Sequence, residues 1–148
     1  MVEVDYTEPD LRFTLVDLAG SDDPDTGDIY SGLDRFGRVK DSRWYDYGSS
    51  ADAERIKYGY DRAGNRTYRE VTLDPGDAHD ELYGYDGAHR LAEFDRGSLS
   101  GGKDAISSLQ LAQQWSLDPT GNWSGFKQDD DGDSTWDLDQ SRSLSLCA

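Results

Sequence analysis

Short stretches of alternating apolar and polar residues, separated by turn formers, recur along the chain. Ile56, Tyr58 and Tyr60 lie two apart, so on an extended strand they share one face. Tyr83 and Tyr85 repeat the arrangement. Each pair is followed at once by an aspartate, Asp61 or Asp86, a residue type that bonds backbone N–H groups downstream and opens a turn. Gly37, Gly64 and Gly121 then supply positions where a positive φ costs little. Strands resume over 38–44, 66–73, 89–94 and 122–127, and a strand, a tight Asp-to-Gly turn and a second strand make a β-hairpin. The predicted fold is all-β, with tandem antiparallel β-hairpin repeats side by side in one curved, spiral-shell-like sheet.

Four segments carry the unit: YSGLDRFGR from Tyr30, YGYDRAGNR from Tyr58, YGYDGAHRL from Tyr83 and WSLDPTGNW from Trp115. Their aspartates, Asp34, Asp61, Asp86 and Asp118, are 27, 25 and 32 residues apart, one structural unit per repeat with loops of variable length. His89 stands in the third copy where the others have glycine, and Trp115 and Leu117 replace both tyrosines in the fourth. The chain divides into residues 1–27, the end of a preceding repeat and a turn-rich loop; 28–136, four repeats; and 137–148, a non-repeat tail. Within the first part, 11–18 alternates as a closing strand and SDDPDTGD is a loop broken by Pro24 and Gly27. Between the third and fourth copies, 97–102 reads as a flexible loop. The segment around Ile106, Leu109 and Ala112 suits a strand or a short helix, and Leu109, Leu111, Trp115 and Leu117 favour the strand.

These segments resemble RHS repeats, also called YD repeats, whose unit runs Y-x-Y-D-x-x-G-R before a hydrophobic strand. The resemblance spans 28–136, most of the chain, and YGYDRAGNR is nearest the family pattern. It implies a large protein whose hairpins wind into a hollow shell, holding a toxic domain in bacterial polymorphic toxins or a cargo in insecticidal toxin complexes, or serving an adhesion receptor in teneurins. Bacterial members end the shell with a self-cleavage motif. LDPTGNW is the nearest string here and lacks the surrounding pattern, so that activity is not carried over.

Composition sharpens the picture. Hydrophobic residues make up 34% and charged residues 31%, while nine Tyr, four Trp and four Phe carry the apolar burden, a β-leaning choice. A net charge of −16 repels phosphate backbones and anionic membrane surfaces, so neither nucleic acid nor membrane insertion is expected. One cysteine, Cys147, excludes an internal disulfide. The acidic start MVEVDYTEPD is unlike a signal peptide, and no apolar run approaches the roughly 20 residues of a membrane span.

Candidate chemistry is thin. The loop DDDGDST places Asp129, Asp131 and Asp133 in alternation, but a calcium-binding EF-hand needs Gly sixth and Glu twelfth. From Asp129, Gly132 is fourth and Gln140 twelfth, so a solvated hairpin loop is expected. His79 and His89 lie in polar turns, with no zinc, nucleophile-elbow or phosphate-loop motif around them. No catalytic, cofactor-binding or metal-binding residue is assigned, no cofactor is expected, and the chain is not expected to be an enzyme. The expected role is a structural repeat segment of a larger secreted or cell-surface RHS protein, a toxin-encapsulating shell or an adhesin, of which this chain is a truncated fragment. Its partners would be the rest of the shell or its cargo, and open strand edges invite self-association. The alternative is carbohydrate binding or cell-surface recognition through exposed aromatics such as Trp44 or Trp123.

Overall fold

A computed structural model describes residues 3–6, 11–14, 32–46, 48–72 and 79–142. Among the described residues there are ten strands and no helix. They are β1 (Glu3–Tyr6), β2 (Leu11–Thr14), β3 (Asp41–Asp46), β4 (Ala51–Tyr60), β5 (Arg66–Val71), β6 (Asp80–Tyr85), β7 (Leu91–Leu99), β8 (Ile106–Leu117), β9 (Trp123–Asp129) and β10 (Leu138–Ser141). Neighbouring strands within each part of the chain pair antiparallel in chain order, which is the all-β antiparallel hairpin arrangement expected. The loop at 21–28 lies outside the described residues.

The chain forms two compact units, Met1–Gly59 with Arg69–Gly76 and Tyr60–Tyr68 with Asp77–Ala148. In the first, β2 pairs antiparallel with β1 and with β3, and β3 pairs with β4. Phe13 stands opposite Trp44, with ring centroids 5.2 Å apart. Next to this aromatic pair runs a charged ladder. Asp41, only 8% exposed, accepts from Arg55 Nε at 3.0 Å and Nη2 at 2.6 Å, and Arg43 pairs with Asp52. Side chains this sequestered offset the loss of water only because each charge has an opposite neighbour.

In the second unit β6 to β10 form a meander, with β7, β8 and β9 each paired on both sides. Two further aromatic pairs sit in direct register, Tyr83 with Phe94 and Trp115 with Phe126, each at 5.7 Å. Such a pair contributes about 0.5–1.5 kcal/mol beyond its buried area. The strand reading of 106–117 holds, and β8 is the longest strand at twelve residues. The loop reading of 97–102 holds only for its second half. Gly97, Ser98 and Leu99 belong to β7, and the turn occupies 100–105, closed by a bond from Ser100 N to Ala105 O at 2.8 Å. The physical reason is a bulge between Arg96 and Gly97, where a Cβ on Gly97 would lie 2.0 Å from the Ser108 carbonyl oxygen. Glycine here permits a close approach of two strands, not a flexible link.

Little is sealed from water. Among the described residues Ala112 is the one buried apolar side chain, and the buried polar ones are Asp34, Asp41 and Asp129. The strand faces are half-covered, so aspartates rather than an apolar core occupy the most enclosed positions.

Candidate functional site

The four repeat aspartates make the same turn, one atom pattern repeated. In each, the Asp N–H donates to the carbonyl four residues on, and the N–H three residues on donates back to the Asp carbonyl, at 2.8–3.2 Å. The Asp Oδ1 accepts from the backbone N–H four residues on: Arg38, Asn65, Arg90 or Asn122, at 2.8–2.9 Å. The side chain of that same residue closes on Oδ2, through the guanidinium of Arg38 and Arg90 and the amide of Asn65 and Asn122. The polar residue after each Gly or His is therefore the second half of a clasp, a role that spacing alone left open.

The third position needs a left-handed backbone, with φ +77° at Gly37, +95° at Gly64 and +93° at Gly121. His89 adopts φ +61° in the same place, so the turn survives the loss of glycine. Histidine is among the side chains that tolerate this region. Its ring also does something glycine could not: His89 Nδ1 lies 3.0 Å from Asn65 Nδ2, joining the second turn to the third. Arg90 Nη1 then donates to the Asp118 carbonyl at 2.8 Å and joins the third to the fourth. The second tyrosine of the third copy adds a link, its hydroxyl donating to the Arg66 carbonyl at 2.9 Å. Leu117, in the matching place of the fourth copy, has no hydroxyl to offer.

Electrostatics follow the donors. Partial burial acts to raise the Asp34 and Asp61 carboxyls, but bonds from Arg38 and Asn65 outweigh it and both lie below the ordinary value. The Arg90 backbone bond, with its side chain, lowers Asp86. The Thr120 hydroxyl and the Asn122 amide take Asp118 down to about 2. Burial beside Glu81 pushes the Tyr83 phenol up to about 12.

The loop between β9 and β10 uses aspartates differently. Asp129, 1% exposed, accepts from the N–H groups of Asp131, Gly132 and Ser134 at 3.3, 2.6 and 2.8 Å. Asp137 Oδ2 accepts from Asp130 N at 2.8 Å, and the Asp137 side chain raises the Asp130 carboxyl. Carboxylate oxygens of Asp129, Asp131 and Asp137 gather within 4.8 Å. The sequence alternation pointed to Asp133, whose Oδ1 instead accepts from Thr135 N at 2.7 Å. The hairpin loop is present as expected, with Asp130 to Asp137 largely exposed, but its first aspartate is a buried anchor.

Neither tryptophan named as an exposed sugar platform stands free. Trp44 is half-buried against Phe13, and the Arg142 guanidinium lies 3.7 Å from the centroid of the half-buried Trp123 ring. Beside Trp123 a cavity of about 410 Å³ is lined by Asp118, Asn122, Ser124 and Arg142. His79 and His89 are exposed. No helix among the described residues is long and apolar enough to cross a membrane.

No family model and no curated protein matches the chain. A solved structure does: a chain of the Photorhabdus luminescens Tc holotoxin pore, in a mutant form, with a TM-score of 0.50 and 14% identity. The match covers 80% of this chain and 6% of that one. At this identity the likeness is one of fold. The present chain spans a small part of the length of the protein it matches.

Proposed function

We propose that this chain is a wall segment of an RHS-type shell, secreted or displayed at a cell surface as part of a larger protein, with no catalysis of its own. The observation that carries the reading is the fate of the repeat aspartates. All four carboxylates are bound by donors of their own turn, so the most regular polar feature of the sequence is spent on architecture. Turns of one pattern, tied to their neighbours by Asn65–His89 and Arg90–Asp118, suit a surface that must continue from unit to unit. In such repeat assemblies each unit leans on the next. The fold likeness to a Tc holotoxin pore chain supports the same reading, and the parent's toxin, cargo or adhesive role belongs to this proposal. Expressing the chain together with the coding sequence that adjoins it, and imaging the product by electron microscopy, tests it. A hollow particle is expected; a solid globule, or neighbouring sequence without further Tyr–Asp repeats, would contradict it.

A second reading, glycan recognition, has one observation in its favour. The Trp123 cavity sets an aromatic ring among a carboxylate, an amide, a hydroxyl and a guanidinium. Glycan-array binding that disappears in Trp123→Ala would favour it over a purely structural role.

A further inference from the structure

Four large apolar side chains stand out in solvent among the described residues: Phe36, Leu91, Trp136 and Leu138. Three of them sit in two patches of opposite charge. Phe36, 67% exposed, tips the first Asp turn, with the Arg35 and Arg38 guanidinium carbons 4.7 and 5.2 Å from its ring centroid. From 35 to 43 the chain sets Arg35, Arg38, Lys40 and Arg43 against one acid, Asp41, in a molecule of net charge −16. Asp34 holds Arg38 and Asp52 holds Arg43, whereas no carboxylate among the described residues pairs with Arg35.

The second patch is the β9–β10 loop. Trp136 and Leu138, 40% and 38% exposed, lie among Asp130, Asp131, Asp133 and Asp137, with no basic residue between Asp129 and Gln140. Beside Trp136 a groove of about 160 Å³ is walled by Leu109, Ala112, Asp129 and Ser134. Small-molecule pockets run to roughly 300–1,000 Å³, so a groove this size suits one inserted side chain.

We propose that the Phe36 turn of one copy docks into the Trp136 groove of a second copy, with Arg35 facing the loop's carboxylates. The occupant is a second copy because this chain supplies both halves. Copies of a strongly acidic molecule repel one another, and a basic, aromatic turn meeting an acidic, aromatic loop offsets that repulsion locally. The two surfaces differ, so each contact joins the turn of one copy to the groove of another. This contact uses side chains of a turn and a loop, and is distinct from pairing of open strand edges.

Sedimentation velocity of the full chain over a concentration series, at low and high salt, tests the proposal. Wild type is expected to shift to larger species with concentration and to dissociate as salt rises. A wild type that is monomeric throughout overturns the proposal, as does association unaffected by salt. A turn variant, Arg35→Glu with Phe36→Ser, and a groove variant, Asp133→Lys with Trp136→Ser, should each remain monomeric alone. Mixed one to one, they should form a heterodimer that grows no further, since one complementary pair of surfaces remains. Continued association of either variant alone, or no heterodimer on mixing, refutes it. Should the groove variant misfold, Asp131→Asn keeps the acceptor for Asp133 N and is expected to weaken association by about 3–10-fold through loss of one charge. An unchanged dissociation constant for that variant would also refute it.

Discussion

The repeat turns and the β9–β10 loop are both led by aspartates, yet they treat the carboxyl group in opposite ways. Asp118 is surrounded by donors, the Thr120 hydroxyl, the Asn122 amide and two backbone N–H groups, and its carboxyl lies at about 2. Asp130 faces another acid, Asp137, and its carboxyl is raised. The difference lies in what stands four residues on or across the loop. Arg38, Asn65, Arg90 and Asn122 donate to their aspartate, while the loop offers Asp130 a second carboxyl group. Residue type alone therefore does not set the direction in which a carboxyl is shifted; the partner does. The loop is held instead by Asp129 at its base, where one buried carboxylate serves three backbone donors.

The largest expected effect comes from removing that base. Asp129→Ala removes a buried carboxylate and leaves three part-buried N–H groups without their acceptor, each costing up to about 1–3 kcal/mol. A total loss of about 3 kcal/mol or more is expected in urea unfolding, and Asp129→Asn should recover part of it by keeping one acceptor. An Asp129→Ala protein as stable as wild type would mean that the loop stands without its anchor.

Glycine substitutions sharpen the contrast next. A Cβ on Gly132 would meet the Leu109 carbonyl oxygen at 2.1 Å, at φ +77°, whereas a Cβ on Gly37, also at φ +77°, would meet nothing within 4 Å. Gly37→Ala should carry only the backbone penalty, about 1–2 kcal/mol. Gly132→Ala adds a collision with backbone and should be clearly worse, about 3 kcal/mol. Equal losses for the two in thermal or urea unfolding would show that the loop gives way freely.

Acid titration should produce the smallest effect and the most diagnostic one. For Asp34, Asp61, Asp86 and Asp118 the folded value is depressed, so their contribution to stability is present above the ordinary value of 3.8 and fades as pH falls below it, reaching about 2 for Asp118. For Asp130 the folded value is raised, so the sign reverses: its contribution is present below 3.8 and lost as pH rises through the raised value. Lowering the pH from neutral should thus first tighten the β9–β10 loop and then loosen the turns. Carboxyl-carbon NMR checks this residue by residue, and an Asp118 midpoint near 4 would contradict the donor account.

Much of this architecture was legible along the chain. Tyr58 and Tyr60 with Asp61, and Tyr83 and Tyr85 with Asp86, announced hairpins because alternation and Asx turns are local properties. Positive φ at Gly37, Gly64 and Gly121 followed for the same reason. Local reasoning failed where the deciding atom came from elsewhere. Gly97 read as loop because glycine is a turn former, and the neighbouring strand's Ser108 carbonyl made it a strand position. Trp44 and Trp123 read as exposed because they are far in sequence from Phe13 and Arg142, which cover them. The acidic loop hid its organisation similarly, since Asp129, Asp131 and Asp137 converge across a turn that alternation cannot measure.

The sequence by itself determined the unit: strand, aspartate turn, strand, four times over, in an acidic and aromatic-rich chain. A turn is closed by residues within five positions of one another, so its rules are written in the order of the residues. Only the tertiary structure decided what each unit touches: that His89 reaches Asn65, that Arg90 reaches Asp118, and that Asp129 is enclosed while Phe36 and Trp136 are not. Those outcomes depend on strand register and on which side chains meet across it, and register becomes fixed only when the strands pair.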